Sequence, residues 1–340
     1  MAGRVLKVLV VNAGSTSLKL SAVEEDDSAE PVASLADAPS VDAVAHRIVH
    51  GGVRFREPVV IDDAVRRELD ALTELAPLHN TPALRALDEA RRVLPSVPHV
   101  GVFDTAFHAT LPEEAYTYAL PRDWREEWAI RRYGFHGLSV SWAAERVTVP
   151  RLVVCHLGGG CSVTAVLDGR SVDTTMGFSP LEGVPMATRA GTIDPEILLY
   201  LQRHGAATVD ELEHALEHES GLVALGGTAR VEELEARDDD DARLALAVFC
   251  RRVAGAAASA AAALGGLDAV VFTAGIGEGS APVRAEICRR LRLLGVELDE
   301  RANTEAEPDA DVSTVASAVR VWVVHAREDV VAARAARTLL

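Results

Sequence analysis

Three turns rich in small residues follow apolar runs: "NAGSTS" at 12–17, "HLGGGCS" at 156–162 and "TAGIGEGS" at 273–280. Glycine lets successive backbone N–H groups turn inward together, and that concavity suits phosphate oxygens. Hydroxyls of Ser15, Thr16, Ser17 and Ser162 would add donors. One such turn is commonplace. None matches GxxxxGK[ST], and "GIGEG" falls short of GxGxxG. Three of them in one α/β chain point to a nucleotide.

Around these turns lie charged and imidazole groups. "HRIVHGG" offers His46, Arg47 and His50; "PLHN" offers His79; "YGFHG" offers Phe135 and His136; "MATRAGTIDP" offers Arg189 and Asp194. Any single histidine is more often a core or surface residue than a catalyst, and a lone arginine is usually a surface charge. His136 and Arg189 stand out because their surroundings are glycine-punctuated and aperiodic, where binding residues collect. Cys161 follows glycines near His156, but small buried cysteines are commoner than nucleophiles, and no activating partner is assignable from sequence.

The elements that would carry these groups read as alternating strands and helices. Residues 4–11 and 17–25 make a strand pair, and residues 26–40 a loop with one edge strand. Helices are expected over 62–75 and 82–94, then a buried strand over 99–107, and a helix after Ser139 as N-cap. Strands at 151–157, 162–167 and 170–174 follow, with Asp168-Gly169 as a hairpin turn. A helix at 208–218, a long alanine-rich helix ending at Gly265-Gly266, a strand into "TAGIGEGS", a helix over 281–294, a strand and a last helix from 328 complete the chain. "VLVVNAGSTSLKL" and "RLVVCHLGGGCSVTAV" share one plan of strand, small-residue turn and strand. A duplicated fold with a ligand between its halves follows from that repeat.

The totals agree. A chain of 340 residues is long for one core, so two domains are expected. A formal charge of −17 argues against nucleic-acid binding, which needs a basic footprint. Cys155, Cys161, Cys250 and Cys288 form no CxxC pair and no zinc spacing, which fits reduced thiols in a cytoplasmic protein. The apolar start is short for a signal segment, and "VAGAAASAAAALGG" is short for a membrane span.

In order along the chain, "VLVVNAGSTSLK", "HRIVHGG", "APLHN", "VFDTAFHATLPEEAYTYALP", "RRYGFHG", "CHLGGGCSVTAV", "SVDTTMGFSPLEG", "TRAGTIDP" and "FTAGIGE" resemble the acetate kinase family. The resemblance implies an α/β fold of two duplicated actin-like (ribonuclease H-like) domains with a nucleotide cleft between them. Residues 1–105 with 330–340 would form the first domain and 106–329 the second. It implies a homodimeric phosphotransferase that uses Mg²⁺ (or Mn²⁺), ATP and a short carboxylate, acetate first.

Carried over by position, Asn12, Arg47, Asp104, His136 and Arg189 would be catalytic, with Asn12 and Glu328 at the metal. Arg47, Val49, Leu78, His79, Phe135 and Pro180 would hold the acyl substrate. Ser15, Ser17, Lys19, His156, Gly158, Gly159, Gly160, Thr228, Arg230, Gly275, Ile276 and Gly277 would hold the nucleotide. The family pattern has Asn where Gly159 stands, Asp where Thr228 stands and Asn where Gly279 stands. Leu138 and Val140 replace Thr and His. These changes touch the nucleotide side, so another donor such as pyrophosphate is an alternative, and the width of the acyl pocket leaves propionate or another short acid as a further one. A non-catalytic nucleotide-binding protein and a Cys161 thiol hydrolase are readings from other classes.

Overall fold

The computed structural model describes residues 6–13, 18–73 and 77–340, the side chains of 77–79 excepted. Ser15 and Ser17, and the side chains of Leu78 and His79, lie outside the described residues. The chain forms two units. The first takes Met1–Ala109, Phe135–Trp142 and Arg327–Leu340, and the second Thr110–Gly134 and Ala143–Ala326. The segment with Phe135 and His136, and the one with Glu328, thus group with the first unit.

The first unit is built on a six-stranded sheet: β1 (Val8–Ala13), β2 (Leu18–Val23), β3 (Ala29–Val32), β4 (Ala43–Ile48), β5 (Val59–Val60) and β6 (His99–Phe103), in the order β3-β2-β1-β4-β6-β5. β1, β4 and β6 are parallel neighbours. Consecutive buried residues such as Val8, Leu9, Val10 and Val11 show that both faces of β1 are covered, as parallel strands require. Helix Pro77–Val93 sets Ala83, Ala86 and Ala90 against Leu9, Val11 and Val44. Helix Glu328–Arg337 also packs on β1, β4 and β6, and buries Val330, Ala332, Ala333 and Ala336.

The second unit repeats this plan. β7 (Arg151–Leu157), β8 (Cys161–Leu167), β9 (Arg170–Thr174), β10 (Ala269–Thr273), β11 (Ala310–Asp311) and β12 (Arg320–Val323) lie in the order β9-β8-β7-β10-β12-β11. In each unit an antiparallel three-strand meander leads into two further parallel strands, with a short antiparallel strand at the edge. The duplication expected from the two strand–turn–strand segments is therefore present strand for strand. Asp168 and Gly169, at φ 47° and 77°, make the left-handed hairpin turn between β8 and β9.

Three local expectations change. The second helix starts at Pro77, so Pro82 lies inside it, in its second turn, where its ring forfeits one i→i−4 hydrogen bond. Helix Gly137–Arg146 starts before Ser139, which is buried within it rather than capping it. "TAGIGEGS" is not an open turn but a short helix, Ala274–Gly279. Helix Asp240–Ala263 is 24 residues long and apolar enough to cross a bilayer by length and composition. Here it is a core helix, burying Ala245, Phe249, Val253, Ala257 and Ala261 in the second unit, where it packs on β7, β8 and β9.

Candidate active site

In the first unit, Asn12, Arg47 and Asp104 come together at the carboxyl ends of adjacent parallel strands. Asn12 of β1 lies in register with Arg47 of β4, and Asp104 follows the last residue of β6. That end of an open α/β sheet is where ligands bind. Arg47 donates from Nε to Asp104 Oδ1 at 2.9 Å and from Nη2 to Oδ2 at 2.6 Å. Its Nη1 reaches Asn12 Oδ1 at 3.1 Å and Glu328 Oε2 at 3.0 Å. Asn12 Nδ2 donates to the same Glu328 oxygen at 3.3 Å. Burial alone would lower the pKa of Arg47, but Asp104 and Glu328 outweigh it and raise it. The cation is permanent and its direction is fixed. Lys19 is exposed and pairs with Asn12 across the β1–β2 ladder.

The turn carrying His136 is anchored to this cluster through the backbone. Gly137 N donates to Asp104 O at 3.0 Å, and a Cβ on Gly137 would collide with that same carbonyl. His136 is half-buried at φ 59°, and its carbonyl accepts from Val140 N at 2.9 Å as helix Gly137–Arg146 begins. A left-handed histidine is costly to hold and marks a position fixed by its surroundings.

Apolar groups gather beside it. Val49 and Phe135 are buried, and the Phe135 ring meets His50 edge-on at 5.4 Å between centroids. Two polar residues hold this arrangement. His108 Nε2 donates to Phe135 O at 2.8 Å, and burial pushes its pKa down to about 4, so it is a neutral donor. Asn80 exchanges hydrogen bonds with the backbone of His50, both at 3.1 Å, tying the start of helix Pro77–Val93 to the Val49–His50 turn. Pro180 is buried in the second unit.

In the second unit, the glycine turn joins β7 to β8. Gly158 N donates to Gly160 O at 3.0 Å, and Gly159 O accepts from Ala187 N at 3.3 Å. His156, at the end of β7, is in register with Thr273, at the end of β10. Arg189 lies on the turn that follows Ala187, and its Nε donates to Glu217 at 2.9 Å. That turn is stapled to the helices on either side of Ser220: Thr188 Oγ1 donates to Glu217 O at 2.7 Å and Leu222 N to Met186 O at 2.9 Å. Cys161 is fully buried, and burial pushes its thiol up to about 12. A neutral, enclosed thiol is no nucleophile.

Gly275, Ile276 and Gly277 form the start of helix Ala274–Gly279. Arg284, buried to 2% exposure, braces that helix from behind. It donates to Gly277 O at 3.0 Å, Glu278 O at 2.6 Å, and Asn303 Oδ1 and O at 2.7 Å. Thr228 bonds Glu233, and Arg230 pairs with Glu232 at 2.9 Å and Glu233 at 3.1 Å. Both are thus engaged by the acids of the next helix.

Residues 30–334 match the acetokinase family. The chain belongs to the acetokinase family. A relative named acetate kinase from Dichelobacter nodosus is 47% identical over 306 residues, 86% of this chain and 77% of that one. Among solved structures, a propionate kinase from Francisella tularensis aligns over 97% of this chain and 98% of its own, with TM-score 0.91 and 31% identity. An acetate kinase from Porphyromonas gingivalis aligns over 98% and 99%, with TM-score 0.86 and 29% identity. These matches also bear out the duplicated actin-like architecture.

Against the family pattern, the departures at Gly159 and Gly279 are not forced by packing. A Cβ at either position meets nothing within 4 Å. Neither has the left-handed backbone that demands glycine. Sequence reasoning missed Asn80, His108, Glu217 and Arg284. Asn80 and His108 stand inside family-like segments but bond backbone groups 30 and 27 residues away, and Glu217 and Arg284 sit in stretches that read as ordinary helix.

Proposed function

We propose that this chain transfers the γ-phosphoryl group of ATP to acetate, reversibly, giving acetyl phosphate and ADP. The observation that carries the reading is Arg47, clamped by Asp104 and joined to Asn12 and Glu328 at the ends of β1, β4 and β6. A carboxylate is already a nucleophile at neutral pH, so no strong base is needed. Its oxygen attacks the γ-phosphorus, and the bond to the β-phosphate oxygen breaks with the electron pair leaving on ADP. What the protein must supply is alignment of two anions and compensation of charge.

In this reading Arg47 and Arg189 hold the acceptor carboxylate and the transferring group. His136 donates to the phosphoryl oxygens. Val49, Phe135, Leu78 and Pro180 wall the methyl group, with His79 beside them. The glycine turn at 158–160, with Ser15, Ser17, Lys19 and His156, receives phosphate oxygens. Gly275–Gly277, Thr228 and Arg230 take the adenosine.

The cluster sets two carboxylates, Asp104 and Glu328, against one guanidinium, leaving a net negative charge. Mg²⁺ takes one or two carboxylates and completes its shell with phosphate oxygens and water, so these residues fit it. Asn12 and Glu328 would hold it, and Mn²⁺ suits the same oxygens. When bound, the ion neutralises charge on the phosphate oxygens. A homodimer belongs to the same reading. Helix Pro195–Arg203 buries none of its residues and exposes the apolar Ile197, Leu199 and Tyr200, which suit contact with a second copy. The cytoplasm is the location that goes with these substrates and with reduced cysteines.

The experiment is a hydroxamate assay of purified protein with ATP and Mg²⁺ and acetate, propionate or butyrate, then with pyrophosphate replacing ATP. Acetate-dependent acyl phosphate with ATP is expected. A preference for propionate, which the likeness to the Francisella protein makes the second reading, would keep the chemistry and change the substrate. Acyl phosphate from none of these pairs would contradict the proposal.

A further inference from the structure

The loop Gly177–Gly183, which carries Pro180, is tied down at both ends by groups that no role above uses. The Tyr118 hydroxyl spans the loop, accepting from Phe178 N near its start at 2.9 Å and donating to Glu182 near its end. Arg132 donates from Nη2 to the other Glu182 oxygen at 2.9 Å and from Nη1 to Thr175 O at 3.0 Å. Tyr133 N donates to Gly177 O at 3.0 Å. The knot leaves no spare room: a Cβ on Gly177 would collide with the Glu182 carboxylate and the Tyr118 hydroxyl.

At the other end, Gly183 N donates to Thr192 Oγ1 at 3.2 Å, and Thr192 N donates back to Gly183 O at 2.8 Å. Thr192 lies three residues after Arg189 on the same turn. Glu182 therefore sits between a half-buried tyrosine–arginine clamp and the turn that bears Arg189.

We propose that Tyr118, Arg132 and Glu182 are positioning residues that set the acyl-chain preference, by fixing Pro180 relative to Arg189. The inference rests on the reading above, in which Pro180 walls the acyl group and Arg189 holds its carboxylate. With one end of the substrate held by Arg189, the place of Pro180 limits how many methylenes fit. One methylene in an apolar pocket changes selectivity by about 10- to 200-fold, so a small shift of the wall is measurable.

The test is Tyr118→Phe, which keeps the ring and removes both hydroxyl bonds. Rates with acetate, propionate and butyrate are compared with wild type by the hydroxamate assay, along with KM for ATP and the melting temperature. The propionate-to-acetate ratio of kcat/KM should rise by about fivefold, the loss of one or two hydrogen bonds at the wall. KM for ATP should stay within about twofold. Glu182→Gln, which keeps the shape and weakens the pairing with Arg132, should shift the ratio the same way and decides the matter if Tyr118→Phe does not fold. An unchanged ratio with a uniformly poorer enzyme would reduce the knot to scaffolding and overturn the inference. A wild-type protein that makes no acyl phosphate from any acid contradicts the functional reading itself, whereas an active wild type with unaltered variant ratios contradicts only this inference.

Discussion

The guanidinium of Arg47 lies edge-on to the carboxylate of Asp104, donating from Nε at 2.9 Å and from Nη2 at 2.6 Å. Asp104 is buried to 1% exposure, and its backbone carbonyl also accepts from Gly137, beside His136. One residue therefore aims an arginine with its side chain and anchors the histidine turn with its backbone.

Asp104→Asn tests that aim. The amide keeps the volume but cannot accept both arginine donors as an anion does. We expect kcat/KM for acetate to fall by about 10²-fold or more, in the range seen when a preorganised donor is lost. Circular dichroism should show a folded protein. Near wild-type kinetics would mean that Arg47 needs no anchor.

Glu217 plays the matching part for Arg189, at 2.9 Å. Both side chains are mostly buried, so the pair is not a solvent-screened surface contact. Glu217→Gln should raise KM for acetate by about 5- to 10-fold with less effect on KM for ATP, since an ion pair becomes a bond from the arginine to a neutral acceptor. Equal effects on both constants would argue for a general loss of structure instead.

Gly159→Asn should be tolerated, because nothing lies within 4 Å of a Cβ there. A side-chain amide restored at that turn would offer phosphate one more hydrogen bond. KM for ATP should fall by about 3- to 10-fold at unchanged melting temperature. A higher KM would show that the bare backbone is the better fit in this chain.

His108 gives a pH dependence with a definite sign. Burial holds its folded pKa at about 4, against 6.5 for the free group. The unfolded chain therefore binds a proton first, and stability is lost as pH falls from 6.5 toward 4. The slope is about 1.4 kcal/mol per pH unit within that window. His46 contributes with the same sign, because burial lowers its pKa as well. Urea melts at several pH values should show His108→Gln losing less stability on acidification than wild type. Parallel losses would remove His108 from the account.

Much of this was readable in the residues. The duplicated sheet follows from two strand–turn–strand segments of the same pattern, because buried parallel strands need unbroken apolar runs. His136 and Arg189 stand out because their stretches are glycine-punctuated and aperiodic, whereas Asn12 and Asp104 came only with the resemblance to the family. Glu217 was not legible, since an acid on an amphipathic helix reads as solvated until the turn it faces is known. The helix at Ala274–Gly279 was misread as a turn: three glycines argue against helix locally. Arg284, placed on the next helix, supplies the opposing bonds from behind.

The most direct test follows the oxygen. Protein, Mg²⁺, ATP and acetate labelled with ¹⁸O in both carboxylate positions are mixed, and the product is read by ³¹P NMR. Attack by the carboxylate predicts acetyl phosphate with ¹⁸O in the bridge between carbon and phosphorus, together with unlabelled ADP. Acetyl phosphate without label at the bridge, or none at all from folded protein, would contradict the account.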